Sequence, residues 1–136
     1  MNIFIASHGK LASGIKSSIN ILLGEKNNIS IYDAFIDDTN LEDKVEKYLS
    51  SRDKKVKTIF LTDIYGGSVN QFISKYIDNR DIFLIAGINL PLVISILLMN
   101  DKDITKETLM NIVRESRETI KLVDLDEIDI IDEEFF

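Results

Sequence analysis

The chain has 136 residues, of which 45% are hydrophobic and 29% charged, proportions typical of a single soluble globular domain with its own core. The formal net charge of −7 disfavours nucleic acids and anionic membrane surfaces as partners, because both are bound mainly through clustered Lys and Arg side chains. The chain contains no cysteine, which excludes disulfides, thiolate metal sites and cysteine nucleophiles.

Strand and helix patterns alternate along the chain with short connections. In chain order they predict a strand at Asn2–Ala6, a helix at Lys10–Leu23, a strand at Ile29–Ala34, a helix at Asn40–Ser50, a strand at Lys57–Thr62, a helix at Ser68–Ile77, a strand at Ile82–Ala86, and helices at Leu90–Met99 and Lys106–Thr119. This order predicts an α/β fold with a parallel sheet and helices on both faces. In a flavodoxin-like, doubly wound sheet the four strands take the order 2-1-3-4, so strands one and three are neighbours.

The end of the chain departs from this alternation. Ile120–Val123 could form one more short strand, and Asp124–Phe136 is an acidic segment with scattered apolar residues and two terminal phenylalanines. We therefore divide the chain into a domain of residues 1–123 and an acidic tail of residues 124–136. The tail either covers apolar surface of this subunit or of a second copy, or it is a frayed acidic end.

The apolar segments do not predict a membrane protein. The most apolar stretch, from Ile82 to Met99, is interrupted by Gly87, Asn89 and Pro91, and no run reaches the roughly 18 residues that a membrane-spanning helix needs. No basic region precedes the first apolar run, so the N-terminus lacks the pattern of a secretory signal. We predict a cytoplasmic protein.

The single histidine, His8, lies just after the first predicted strand and just before Gly9. Imidazole is the side chain whose ordinary pKa makes it a nucleophile near neutral pH. The carboxyl ends of strands are where open α/β sheets bind their ligands, so His8 is a candidate reactive residue. The alternative is that the histidine has only a structural or surface role.

A second unusual segment follows the third strand, where Asp63 is followed by Gly66-Gly67-Ser68. Because strands one and three are neighbours, we expect the Asp63 carboxylate to meet the imidazole of His8, fixing its tautomer and leaving the second ring nitrogen free. The glycines let the backbone approach a ligand, and Ser68 is predicted to cap the next helix, beside N–H groups that could hold an anion. Together these features predict a histidine that accepts a phosphoryl group. A turn or capping role for Asp63 alone is the alternative.

Other chemistries fit these residues less well. Histidine phosphatases need a second catalytic histidine, and response-regulator receivers need an acidic pair where this chain has Ser7 and His8. The segment from Ser7 to Ala12 supplies only one of the three glycines of a dinucleotide-binding fingerprint. One histidine without cysteines, among carboxylates of no recognisable spacing, predicts no metal site, and we expect no cofactor.

Three segments resemble the enzyme IIA component of the mannose-type bacterial sugar phosphotransferase system. They are Ile5-Ala6-Ser7-His8-Gly9-Lys10-Leu11-Ala12, Leu61-Thr62-Asp63-Ile64-Tyr65-Gly66-Gly67-Ser68 and Gly87-Ile88-Asn89-Leu90-Pro91. The resemblance covers Met1 to about Val123. One departure is Val69, where the family commonly has a proline that preorganises the start of the helix.

The resemblance implies a fold and a set of partners. The fold is a four-stranded parallel sheet plus a short antiparallel fifth strand, at Ile120–Val123, that is exchanged between the subunits of a homodimer. The phosphoryl donor is the phosphocarrier protein HPr, and the acceptor is a histidine of enzyme IIB, expected here as a separate protein. Membrane subunits that transport the sugar are partners only indirectly, and nucleic acid is not a partner.

The resemblance also assigns roles to residues. His8 is the phosphorylated residue, Asp63 its orienting partner, and Thr62, Gly67 and Ser68 are neighbours able to contact the phosphoryl group. Ser7, Gly9 and Gly66 complete the predicted phosphoryl-binding set. Two other functions stay open on the same residues: a regulatory phosphorylation module that controls a transcription factor or kinase, and a phosphoester-binding domain without catalysis.

Overall fold

The structure is a computed structural model that describes residues 1–126. Within this range, one sheet contains four parallel strands in the order β2-β1-β3-β4: β1 (Asn2–His8), β2 (Ile29–Ala34), β3 (Thr58–Thr62) and β4 (Ile82–Ala86). The helices are α1 (Leu11–Leu23), α2 (Leu41–Ser50), α3 (Ser68–Ile73), α4 (Leu90–Leu97) and α5 (Lys106–Arg117), with short 3-10 turns at Ser74–Tyr76 and Asp101–Asp103. The predicted α/β fold and the flavodoxin-like strand order are confirmed.

The sheet separates two hydrophobic cores. Side chains alternate along β1, so that Ile3 and Ile5 pack towards α1, α4 and α5, while Phe4 and Ala6 pack towards α2 and α3. Burying an isoleucine or phenylalanine side chain contributes about 1.5–3 kcal/mol, so the strands are held from both sides. The ends of β1 and β3 are therefore fixed, and with them the residues that follow.

The boundaries differ from the predictions mainly at two elements. Strand β1 continues two residues beyond its predicted end, because its pairing with β2 extends to the register His8–Ala34. The predicted helix from Ser68 to Ile77 is a six-residue α-helix followed by a 3-10 turn. His8 is thus the last residue of a strand, and α3 is short.

Residues 120–124 form no strand within the described chain, and the apolar side chains of Ile120, Leu122 and Val123 are exposed. An exchanged fifth strand requires a second subunit, so it stays a prediction. The predicted acidic tail lies mostly outside the described residues, which end at Asp126. Among the helices of residues 1–126, none combines the length and apolarity needed to cross a membrane.

Candidate functional site

His8 and Asp63 meet at the carboxyl edge of the sheet, although 55 positions separate them in the chain. The strands β1 and β3 pair in parallel with Ala6 opposite Thr62, so both residues emerge at the same edge. The Asp63 Oδ2 atom accepts a hydrogen bond from the backbone N–H of His8 at 2.8 Å and lies 2.9 Å from the ring Nδ1. The predicted meeting of imidazole and carboxylate is therefore present.

The surroundings of Asp63 favour its ionised form. Its side chain is only 9% exposed, and this burial by itself would raise the pKa. Hydrogen bonds from the backbone N–H and the ring of His8, the charge of the imidazole and the N–H that follows Asp63 outweigh burial and hold its pKa below the ordinary 3.8. Asp63 is therefore a carboxylate at neutral pH.

An ionised Asp63 fixes the tautomer of His8. A carboxylate oxygen only accepts hydrogen bonds, so the facing Nδ1 atom carries a proton and donates it to Oδ2. The neutral ring then has its lone pair on Nε2, and the His8 side chain is 41% exposed. The site presents a partly exposed, oriented nucleophile with a carboxylate behind it.

Ser7 and Gly9 build the turn between β1 and α1. Ser7 is fully buried; its hydroxyl accepts from the N–H of Ala12 at 2.8 Å and donates to the Gly9 carbonyl at 3.2 Å. Gly9 has a φ of 60°, which a residue with a side chain adopts only at a cost, and its N–H donates to the Ala34 carbonyl. These groups already have partners, so contact between them and a phosphoryl group would require the turn to rearrange.

Thr62 and Gly66 are likewise engaged inside the protein. Thr62 is fully buried, and its hydroxyl accepts from the side-chain amide of Asn70 at 3.2 Å. The Asn70 Oδ1 atom in turn accepts from the Gly66 N–H at 3.1 Å. Asn70 thus ties the end of β3 to the glycine turn, a role that sequence reasoning missed because asparagine inside a helical pattern gives no local signal.

Gly67 lies beside the imidazole. A β-carbon placed on Gly67 would lie 3.7 Å from His8 Cε1 and 3.4 Å from the Ile64 side chain, so this glycine borders the imidazole. Gly67 also occupies the capping position of α3, and Ser68 is the first helical residue, without a side-chain cap bond. The expectation that Ser68 caps the helix is wrong, because the chain enters the helix one residue earlier.

Phe35 is the neighbour of His8 that sequence reasoning missed. Its ring centroid lies 5.2 Å from that of the imidazole, with 35° between the two planes. Phe35 directly follows Ala34, the partner of His8 across β1 and β2, so the strand order together with the register could have revealed the contact.

Comparisons with known proteins agree with this geometry. Residues 2–113 match a family model described as the PTS system fructose IIA component, PTS being the phosphoenolpyruvate-dependent phosphotransferase system. The chain is 32% identical over 124 residues to the PTS system mannose-specific EIIAB component of Escherichia coli, an alignment that covers 88% of this chain and 38% of that protein. The chain thus spans well under half of the length of this relative.

Two further similarities extend over nearly the full length of both aligned chains. The PTS system fructose-specific EIIA component of Bacillus subtilis is 24% identical over 125 residues, covering 90% of this chain and 86% of that protein. A solved structure of a candidate permease of the phosphoenolpyruvate-dependent sugar phosphotransferase system, from Klebsiella pneumoniae, is 28% identical with a TM-score of 0.81 and covers 89% of each chain.

Proposed function

Because this chain belongs to the family of PTS system fructose IIA components, we propose that it relays phosphoryl groups in a sugar phosphotransferase system, taking them from phospho-HPr onto His8 and passing them to a histidine of enzyme IIB. The observation that carries this proposal is the bond between His8 Nδ1 and Asp63 Oδ2 at 2.9 Å, because it leaves Nε2 as the free nucleophile. The sugar would be phosphorylated downstream, by proteins other than this one.

In the accepting step, the lone pair of His8 Nε2 attacks phosphorus, and the bond from phosphorus to the donor's leaving nitrogen breaks with its electrons on that nitrogen. The imidazole of His8, substituted on Nε2 and still protonated on Nδ1, then carries a positive charge. The Asp63 carboxylate faces that charge from Oδ2 and stabilises it.

In the donating step, a histidine nitrogen of enzyme IIB attacks the phosphorus, and the bond between phosphorus and Nε2 breaks. The electron pair returns to Nε2, so the ring becomes neutral again with its Nδ1 proton still bonded to Asp63. Neither step needs a proton to leave Nδ1. The same oriented ring therefore serves both directions, as a relay requires.

We assign the phosphoryl contacts to the start of α3, at Gly67 and Ser68. The Gly67 N–H donates to the Ile64 carbonyl at 3.2 Å, so it would exchange that partner for the phosphoryl group. Hydrogen bonds to a charged group contribute about 1.5–3 kcal/mol each. The dipole of α3 adds little, since the helix has only six residues. The other predicted residues support this arrangement through internal hydrogen bonds: Ser7 and Thr62 at the ends of β1 and β3, and Gly9 and Gly66 in the turns that follow.

The edge of the sheet supports a homodimer. Strand β4 is an edge strand, and beside it runs a groove of about 680 Å³ whose lining includes Phe83, Ile85 and Met110. We propose that the exposed segment Ile120–Val123 of a second subunit adds to β4 as an antiparallel strand. Arg114 and Arg117, which also line the groove, suit the acidic residues that follow this segment.

The proposed relay is tested by incubating the protein with HPr, enzyme I and phosphoenolpyruvate carrying labelled phosphorus. We expect a label on His8 that survives alkali and is lost in acid. A label removed by alkali would be an acyl phosphate on Asp63 and would contradict the proposal. Affinity capture with the phosphorylated protein separates the roles: enzyme IIB supports transport, whereas a transcription factor or kinase in its place supports regulation.

A further inference from the structure

Phe35 combines three unusual properties. Its side chain is 69% exposed, although it is a large aromatic residue. Its backbone φ is 67°, in the left-handed region that residues with a side chain seldom occupy. Its ring contacts the imidazole of His8, with 5.2 Å between the ring centroids.

The backbone conformation is a cost that the fold could avoid. Asparagine or glycine tolerates positive φ values far better than phenylalanine. Asn79, the other non-glycine residue with a positive φ among residues 1–126, follows that rule. Exposure leaves Phe35 little burial to offset the cost. Strained residues of this kind tend to cluster at functional sites, and Phe35 contacts the candidate reactive residue His8.

Two groups hold the imidazole. Asp63 bonds its Nδ1 atom, and the Phe35 ring lies tilted at 35° against it. Gly67 borders the Cε1 side without holding it, since even an added β-carbon would lie 3.7 Å from Cε1. The ring turns about its Cβ–Cγ bond, a torsion with broad minima, so one hydrogen bond at Nδ1 leaves it some freedom. A second ring packed against it restricts that rotation.

We propose that Phe35 is a positioning residue that holds the imidazole of His8 in its Nε2-out orientation and restricts the approach of water to it. Resting on the proposed relay, a second consequence follows for the phosphorylated state: Phe35 lengthens the lifetime of phosphohistidine. In the loss reaction, water attacks phosphorus, the bond to Nε2 breaks with its electrons on nitrogen, and phosphate leaves with the oxygen of the water.

Phosphorylation of the imidazole should strengthen its interaction with the Phe35 ring. Substitution on Nε2 makes the imidazole cationic while Nδ1 keeps its proton, and an aromatic ring attracts an adjacent cation. An aromatic pair has an interaction free energy of about 1–1.4 kcal/mol, which corresponds to a five- to tenfold change in rate. Removal of the ring should therefore produce a change of this size.

The test replaces Phe35 by Gly, which accepts the positive φ and removes the ring. Phe35→Tyr keeps the ring. Asn79→Gly is the matched control, because within residues 1–126 Asn79 is the other non-glycine residue with a positive φ, and it lies near the opposite edge of the sheet. The first readout is the rate at which diethyl pyrocarbonate modifies imidazole, measured by ultraviolet absorbance. Since the chain has one histidine, this signal reports on His8 alone and needs no phosphoryl transfer.

We expect Phe35→Gly to speed modification about five- to tenfold, while Phe35→Tyr and Asn79→Gly match the unchanged protein. The midpoint of urea unfolding should not fall in Phe35→Gly, which excludes general loosening as the cause. Equal modification rates in Phe35→Gly and the unchanged protein would overturn the inference. So would a higher KM for phospho-HPr with unchanged modification, because that pattern assigns Phe35 to partner docking alone.

The second readout is the decay of the phosphorylated protein after removal of donors. Faster decay in Phe35→Gly than in Asn79→Gly supports the lifetime role, and equal decay contradicts it. If the unchanged protein takes up no phosphoryl group, the proposed relay fails, while the modification rates still decide the positioning role. The two failures are thus distinguishable.

Discussion

Replacing Asp63 by Asn tests the electrostatic part of the mechanism with little change in shape. Oδ2 of Asp63 accepts from both the backbone and the ring of His8, while Oδ1 accepts from the N–H of Ile64 at 3.0 Å. An asparagine can place its oxygen towards only one of these two sides, and its NH₂ then opposes a donor on the other. If the NH₂ faces His8, the ring is driven to the wrong tautomer.

The expected loss of rate follows from the geometry. Exchanging a charge-assisted for a neutral hydrogen bond at Nδ1 removes about 1.5 kcal/mol, and two unit charges about 4 Å apart at an effective dielectric of 20 attract by about 4 kcal/mol. These values bracket the stabilisation of the cationic ring. The accepting step should slow by roughly 10- to 1000-fold.

The assay is the initial rate of phosphorylation by phospho-HPr in a rapid-quench experiment, corrected for the folded fraction. The control is Asp78→Asn, since Asp78 is also a carboxylate with a lowered pKa that accepts backbone N–H groups, in the turn before β4. It should cost stability without slowing transfer. An Asp63→Asn protein as fast as the unchanged one would refute the electrostatic role of Asp63.

Three further outcomes are expected. The folded-state pKa of Asp63 lies below 3.8, so its stabilisation is complete above about pH 5 and is lost as the pH falls through the lowered value. Urea titrations between about pH 5 and about pH 2 should find Asp63→Asn less acid-sensitive than the unchanged protein, and equal slopes would contradict this. Ser7→Ala removes the acceptor for the Ala12 N–H and should cost about 1–2 kcal/mol in urea unfolding while His8 is still labelled; loss of labelling in a folded protein would give Ser7 a direct role. Leu122→Asp should convert a dimer to a monomer in sedimentation, whereas an unchanged sedimentation coefficient would remove residues 120–123 from the interface.

The fold was predictable because its signals are local and repeated. Strands β1, β3 and β4 each have a continuous apolar run, β2 alternates apolar and polar residues, and the alternation of strands with amphipathic helices leaves few topologies. The pairing of His8 with Asp63 followed from strand order alone, because parallel neighbours bring their carboxyl ends together. Element ends were less predictable: β1 continues to His8 because β2 offers a pairing partner at Ala34, which local propensity does not reveal.

The roles of individual polar groups depended on contacts distant in sequence. Ser7 and Thr62 look like ligands in the motif, yet both are fully buried with their hydroxyls already bonded. Phe35 carries no motif signal, and its contact with His8 arises only from the register of β1 on β2 and from a left-handed backbone. The register of β1 on β2 follows from the strand order, but the left-handed backbone of Phe35 and the hydrogen bonds already made by Ser7 and Thr62 cannot be inferred from composition or spacing.

The most direct test of the central claim is to identify the ring nitrogen that carries phosphorus. Proton–phosphorus correlation NMR of the protein phosphorylated by phosphoenolpyruvate, enzyme I and HPr distinguishes the two nitrogens. We expect phosphorus on Nε2 of His8, because Nδ1 carries a proton that it donates to Asp63. Phosphorus on Nδ1, or on any residue other than His8, would contradict it.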